Sequence, residues 1–153
     1  MEFEQLKLEN QLCFPLYAAS RLIIREYQPH LDKLEITYPQ YLVLMVLWEK
    51  DNISVNEITQ KLILNTNTVT PLLKRMELQG IITRNRSEED ERKVLVKLTE
   101  KGIGMRTEAA SIPEKLTACI ISDALNVEEL VDMKEKLNVL IDFLLKSKTE
   151  WLL

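Results

Sequence analysis

The chain has 153 residues, 46% of them hydrophobic and 29% charged, with only 3 glycines and 5 prolines, which is the composition of a mainly helical globular domain and gives no argument for disorder. No apolar run approaches the roughly 20 residues of a membrane span and the start, MEFEQLKLEN, is too polar for a signal peptide, so a cytoplasmic protein without membrane contact is expected. A net charge of -4 argues weakly against a nucleic-acid partner, unless the charge is unevenly distributed.

Residues 3–27 read as a helix with Leu6, Leu12, Leu16, Tyr17, Leu22, Ile23 and Ile24 as its apolar positions. A proline inside a helix deletes the hydrogen bond to the carbonyl four residues back, so Pro15 is expected at the start of a helix that stands apart from the first turns. Cys13 then lies close to a helix start, where the dipole favours negative charge. Taken alone, such a cysteine is usually a small core hydrophobe. Pro29 is expected to close the segment, with a linker through Asp32 and Glu35. Thr37 can cap the next helix, with Pro39 in an early turn and an almost wholly apolar stretch, 41–48, that should be buried on several sides.

Ser54 followed by Glu57 is a capping-box signature, and it opens a module running to Thr99. Two short helical patterns are separated by the polar break Asn65, Thr66, Asn67, and the second is interrupted only by Pro71, which makes a helix-turn-helix arrangement. Gly80 can supply the left-handed residue that ends the second helix. Ile81, Ile82 and Thr83 then read as a strand, residues 85–91 as a hydrophilic tip, and Val94, Leu95, Val96 and Leu98 as the returning strand of a hairpin wing. Between residues 65 and 97 stand seven basic and five acidic side chains, a local excess of positive charge in a chain that is acidic elsewhere. Such a distribution suits contact with phosphates while limiting indiscriminate binding.

Residues 99–121 are helical again, with Gly102, Gly104 and Pro113 predicting a weak or bent stretch. Residues 126–151 place Leu130, Met133, Leu137, Leu140, Ile141, Leu144 and Leu145 on one stripe. The apolar faces at the two termini exceed what a compact winged helix needs, so they are expected to interleave with a second copy, the alternative being an intrachain helical hairpin. The expected fold is therefore mainly α with a small β-hairpin wing: a winged helix-turn-helix lobe at 31–98 and a helical dimerisation region formed by 1–30 and 99–153. A two-fold dimer would present two recognition helices to the half-sites of a pseudo-palindrome, about 34 Å apart.

Other constellations are poor. His30 has no clustered partner for a metal, there is no glycine-rich phosphate loop or serine nucleophile elbow, and no cofactor is expected. Glu88, Glu89, Asp90 and Glu91 read as a solvated hairpin tip, and Trp48 and Trp151 as packing residues.

Three stretches in this order, LCFPLYAASRLI around Cys13, VTPLLKRME, and DERKVLVKLTEKG with Asp90 and Arg92 in a D-x-R pattern, make the chain resemble the MarR family of bacterial transcription regulators, and within it the organic-hydroperoxide-sensing, OhrR-type and SarZ-type branch. The resemblance covers nearly the whole chain. It implies double-stranded operator DNA as partner, with Thr66, Asn67, Thr68 and Thr70 near base edges or phosphates, Lys74 and Arg75 close to the backbone, Arg86 on the wing, and Arg92, oriented by Asp90, as the minor-groove candidate. It also implies that Cys13 is a redox sensor approached by the hydroxyls of Tyr17, Tyr27 and Tyr38.

Along one straight helix Tyr27 would lie roughly 20 Å from Cys13, so a contact between them has to come from another subunit. Attack of the Cys13 thiolate on an organic hydroperoxide gives a sulfenic acid, which a second cysteine or a small thiol then captures. Cys119 is either that resolving cysteine or an inert core thiol. A standing disulfide is not expected in the cytoplasm. Two other function classes stay open: a regulator released by a small phenolic ligand without cysteine chemistry, and a thiol peroxidase, the latter against the expectation that the chain is not an enzyme.

Overall fold

A computed structural model of the chain describes residues 3–147. Two 3-10 turns, Glu4–Leu6 and Leu8–Asn10, precede α1, Cys13–Leu31. Pro15 falls in the first turn of α1, where the missing N–H would have had no intrahelical acceptor in any case. Pro29 does not close the helix. It lies in the last turn and forfeits only the hydrogen bond to the Arg25 carbonyl, while the fully buried Leu31 side chain holds the end of α1 in place. The expected linker is mostly a further 3-10 turn, Asp32–Leu34, closed by Glu35 in the left-handed region at φ 55°.

The first helix of the lobe, α2, spans Tyr38–Glu49 and opens with the Thr37 backbone N–H donating to Gln40 Oε1 at 2.8 Å. Its apolar run is buried at Tyr41, Val43, Leu44, Val46 and Leu47, although Met45 is exposed. A two-residue strand β1, Ile53–Ser54, leads into α3, Val55–Leu62, whose capping box is complete: Glu57 N–H donates to Ser54 Oγ at 3.2 Å, and Ser54 N–H donates to Glu57 Oε2 at 2.9 Å. The Ser54 N–H and the Ser54 hydroxyl, both donating to Glu57 Oε2, with the Lys50 ammonium behind them, hold the Glu57 carboxyl down at about 2. Helix α4, Thr66–Leu78, runs unbroken through Pro71, which is exposed, as is Asn67, whose carbonyl the proline cannot supply with an N–H. Gly80, at φ 69°, then turns the chain into β2, Ile82–Arg86, and β3, Val94–Leu98, returns antiparallel with Ile82 opposite Leu98 and Arg86 opposite Val94.

The wing is more than the expected hairpin. β1 adds to the free edge of β3, with Ile53 opposite Val96 and Ser54 opposite Leu95, giving a three-stranded sheet in the order β1-β3-β2. The sheet is thereby tied to the start of α3. The core of the lobe is formed by Val43, Leu44 and Leu47 of α2, Ile58 of α3, Val69, Leu73 and Met76 of α4, and Ile81, Ile82 and Val96 around the sheet.

Beyond the wing lie α5, Glu100–Ala109, α6, Ile112–Asp123, and α7, Val127–Ser147. The chain divides into two compact units at Ile112. Of the residues expected to weaken this stretch, only Pro113 lies beside a break, in the first turn of α6 just after the turn at 110–111; Gly102 and Gly104 sit inside unbroken helix. Gly102 is there for space. A β-carbon at that position would stand 2.3 Å from the Ile81 carbonyl oxygen, which already accepts the Thr99 N–H at 3.1 Å, and the Gly102 carbonyl accepts Trp48 Nε1–H at 2.9 Å. Gly102→Ala is expected to cost about 2 kcal/mol or more, because the clash is with backbone that cannot retreat; a melting temperature within 1 °C or so of wild type would refute this account.

In α7 no described residue is buried, and Met133, Ile141 and Leu144 of the expected stripe are each at least 40% exposed. Helix α1 buries only Leu31 and leaves Phe14, Leu16, Tyr17, Leu22 and Ile23 open. Trp151 lies outside the described residues. No described helix is long and apolar enough to cross a membrane.

Candidate functional site

Helix α4 divides cleanly into two faces. Val69, Leu72, Leu73 and Met76, at i, i+3, i+4 and i+7, are buried, so the helix is seated on the lobe by one stripe. Thr66, Asn67 and Thr68 of the first turn, and Lys74 and Arg75 further along, are exposed, and Thr70 is half-buried. Asn65 begins the helix in extended conformation, its carbonyl accepting the Thr68 and Val69 N–H groups at 2.9 and 3.1 Å. The first turn thus presents short hydrogen-bonding side chains, followed one to two turns later by two cations.

The wing carries a second cationic element. Asp90 Oδ1 accepts both the backbone N–H and the Nε–H of Arg92 at 3.2 Å, so the carboxylate aims the guanidinium while leaving its side chain 93% exposed. Arg86 is exposed at the end of β2. A cleft of about 210 Å³ lined by Ser54, Asn56, Thr66, Thr70, Arg92 and Lys93 brings the starts of α3 and α4 together with the wing. Arg84, by contrast, is already engaged: its Nε and Nη2 donate to Glu77 Oε2 at 3.0 and 2.6 Å, and its backbone N–H donates to Oε1 at 3.1 Å. Those contacts lower the Glu77 carboxyl pKa, chiefly through the Arg84 side chain, and clamp the end of α4 to β2. Residue spacing could not reveal this pair, because its members lie on different elements joined by a turn.

The sulfur region lies on α1. Cys13, its first residue, is exposed. One turn on, the Tyr17 hydroxyl accepts Arg21 Nη1–H at 2.8 Å, with the guanidinium 5.5 Å from the ring centre. Tyr27 and Tyr38 pack edge to face at 4.9 Å, and both lie against Tyr41, at 5.8 and 6.3 Å. Tyr41 was legible only as a core position; its place three residues after Tyr38, on the same helix face, is the signal that would have added it to the cluster. Burial pushes all three phenols above their ordinary range, so at neutral pH they are hydrogen-bond donors.

The structure therefore joins Tyr27 and Tyr38 but does not bring them to Cys13 within one chain. Fourteen residues of continuous helix separate Cys13 from Tyr27, about 21 Å at the usual rise. Cys119 falls within α6, and its side chain is outside the described residues. Among the described residues no group of three or more potential ligands could hold a metal.

A helix-turn-helix followed by a sheet-anchored wing, with threonines, asparagine and cations on the open face, defines a winged-helix regulator of the kind that binds DNA. Comparison with known proteins sharpens this. Residues 25–108 match the family model described as transcriptional regulator SarA/Rot. The chain is 48% identical over 143 residues to the organic hydroperoxide resistance transcriptional regulator of Bacillus subtilis, covering 94% of this chain and 95% of that one. Its fold is similar to that of reduced AbfR bound to DNA, a Staphylococcus epidermidis protein, with a TM-score of 0.74, 37% identity and coverage of 92% and 96%. It is also similar to the disulfide form of AbfR, with a TM-score of 0.62, 36% identity and coverage of 94% and 95%. The chain belongs to the MarR-type family of transcriptional regulators, in its organic-hydroperoxide-sensing branch.

Proposed function

We propose that this protein is a dimeric, redox-sensing repressor whose residues 31–98 grip operator DNA and whose regions 1–30 and 99–153 pair with a second copy. One observation carries the reading. An exposed sulfur and Tyr27, the member of the phenol cluster that shares its helix, sit about 21 Å apart along α1, so they can form a single pocket only across two chains. The exposed apolar faces of α1 and α7 supply the surface for that pairing. Tyr27 and Tyr38 of one copy then donate to the sulfur of the other, and Tyr17 completes the pocket.

The Cys13 thiolate attacks the terminal oxygen of an organic hydroperoxide. The O–O bond breaks, the alkoxide leaves and takes up a proton as an alcohol, and the sulfur retains one oxygen as sulfenic acid. A thiol, from Cys119 or from a small molecule, then forms an S–S bond with that sulfur and releases water. The adduct displaces the tyrosines from the seam, changes the spacing of the two α4 helices, and releases the operator. The DNA-bound reduced form of AbfR and the organic hydroperoxide resistance role of the Bacillus subtilis relative support this assignment.

The test treats the protein with one equivalent of cumene hydroperoxide, identifies the sulfur adduct by mass spectrometry, and measures affinity for a duplex selected from a random pool. Stoichiometric modification of Cys13 with loss of DNA affinity supports the proposal. Release by a phenolic ligand that is indifferent to Cys13, or repeated turnover of peroxide with no DNA affinity, overturns it.

On the DNA side, Arg92→Ala is expected to weaken operator binding about tenfold and to lower the salt dependence by about one counterion, as loss of one phosphate or groove contact does. Its near-complete exposure predicts a melting temperature close to wild type. Unchanged affinity in a gel-shift titration would remove Arg92 from the interface.

A further inference from the structure

We propose that Gln40 and Gln79 form a relay that links the tyrosine cluster to the carboxy-terminal end of the recognition helix, positioning α4 according to the state of the sensor. The inference rests on the redox-sensing reading above and names the path by which it acts. Gln40 is the one buried polar residue among the described residues, at 4% exposure. Both the oxygen and the nitrogen of its amide are engaged. Oε1 accepts the Thr37 N–H at 2.8 Å and the Thr37 hydroxyl at 3.3 Å, which sets the first turn of α2, and Nε2 donates to Gln79 Oε1 at 2.7 Å.

Gln79 is the residue that caps α4, its backbone N–H still donating to the Arg75 carbonyl at 3.0 Å. Its side-chain Nε2 donates onward to the Glu35 carbonyl at 3.2 Å, and its own carbonyl accepts Lys101 Nζ at 3.0 Å. The loop ahead of α2 and the end of α4 are thereby stitched together across 39 and 44 residues of sequence.

The position of Tyr38 gives the link a consequence. Tyr38 is the first residue of α2, directly after Thr37, and its ring packs on Tyr27 at 4.9 Å. Displacing that ring shifts the first turn of α2, and with it the Gln40 amide. A buried amide cannot drop its partner without leaving a polar group unsatisfied, so Gln79 and the α4 end follow. The opposite end of α4 carries Thr66, Asn67 and Thr68, so a tilt pivoting near Gln79 is largest at the residues that face DNA.

Gln79 is exposed, so in Gln79→Ala water takes the place of its side chain at Gln40 Nε2, and the helix cap made by its backbone is spared. Operator affinity is measured on wild type, Cys13→Ser, Gln79→Ala and Gln79→Glu, each before and after one equivalent of cumene hydroperoxide, together with the melting temperature. In Gln79→Ala the reduced protein is expected to bind within about twofold of wild type, while the ratio of reduced to oxidised affinity falls by roughly fivefold. Gln79→Glu gives up the donation to the Glu35 carbonyl but keeps an oxygen to accept from Gln40 Nε2, the bond on which the relay depends, and restores the ratio. A purely structural role would lower the melting temperature or both affinities together and leave the ratio at the wild-type value, and that result, or a Gln79→Glu variant as uncoupled as the alanine, overturns the relay. If wild type itself keeps its operator after oxidation, the sensing reading falls and the relay with it; if wild type responds and Cys13→Ser does not, only the relay is at stake.

Discussion

Cys13→Ser is expected to bind the operator as tightly as the reduced wild type and to keep binding it after peroxide, whereas wild type loses affinity by about one to two orders of magnitude, the usual range of coupling between sites. The exchange is nearly isosteric, and Cys13 is exposed at the first position of α1, so stability should change by no more than about 0.5 kcal/mol. Serine cannot accept the peroxide oxygen, and the sensing reaction therefore has no first step. A Cys13→Ser protein that still released DNA on treatment with cumene hydroperoxide would place the reactive group elsewhere, with Cys119 the first residue to examine by mass spectrometry.

The second large effect belongs to the proposed dimer seam. Ile141 and Leu144 lie on one face of α7 and are 40% and 52% exposed in the isolated chain, so the double change Ile141→Glu with Leu144→Glu should cost the single chain little. Two carboxylates buried at an apolar interface would each carry a desolvation penalty of several kcal/mol without a partner, enough to abolish pairing. The expected result is a monomer by light scattering, a helical circular dichroism spectrum like that of wild type, and a loss of operator affinity of about a hundredfold or more, because the two half-sites are no longer engaged together. A double variant that stays dimeric with full affinity would move the seam away from this face of α7.

Much of the winged-helix lobe was legible in the residues. The Ser54 and Glu57 capping box marked the start of α3 because both partners belong to one turn, and the buried stripe Val69, Leu72, Leu73 and Met76 follows helical spacing. Gly80 marked the exit of α4 for a similarly local reason, a positive φ that few other residues accept. The misreadings fall where the deciding partner is remote. Pro29 was expected to stop α1, yet Leu31, buried against the lobe, holds the helix for two residues beyond it. The strand β1 is too short to announce itself and exists only because β3 offers an edge at Leu95 and Val96.

The candidate site shows the same division. Cys13, Tyr17, Tyr27 and Tyr38 were named from local motifs and resemblance, but the addition of Tyr41 to the cluster, the clamp of Arg84 on Glu77 and the Gln40–Gln79 bond required the elements to be packed. Helix periodicity, capping and turn chemistry act within a few residues, so the order of helices and the presence of a wing could be read from the chain directly. Contacts between residues 39 or 47 positions apart, such as Gln40 with Gln79 or Asp51 with the Leu98 N–H at 2.9 Å, depend on how those elements pack, and no short-range preference encodes them. That is why the amino-acid order announced a winged helix with a sulfur at the head of its first helix, while only the folded lobe decided which phenols gather, which arginine is spent on an ion pair, and where α4 is fastened.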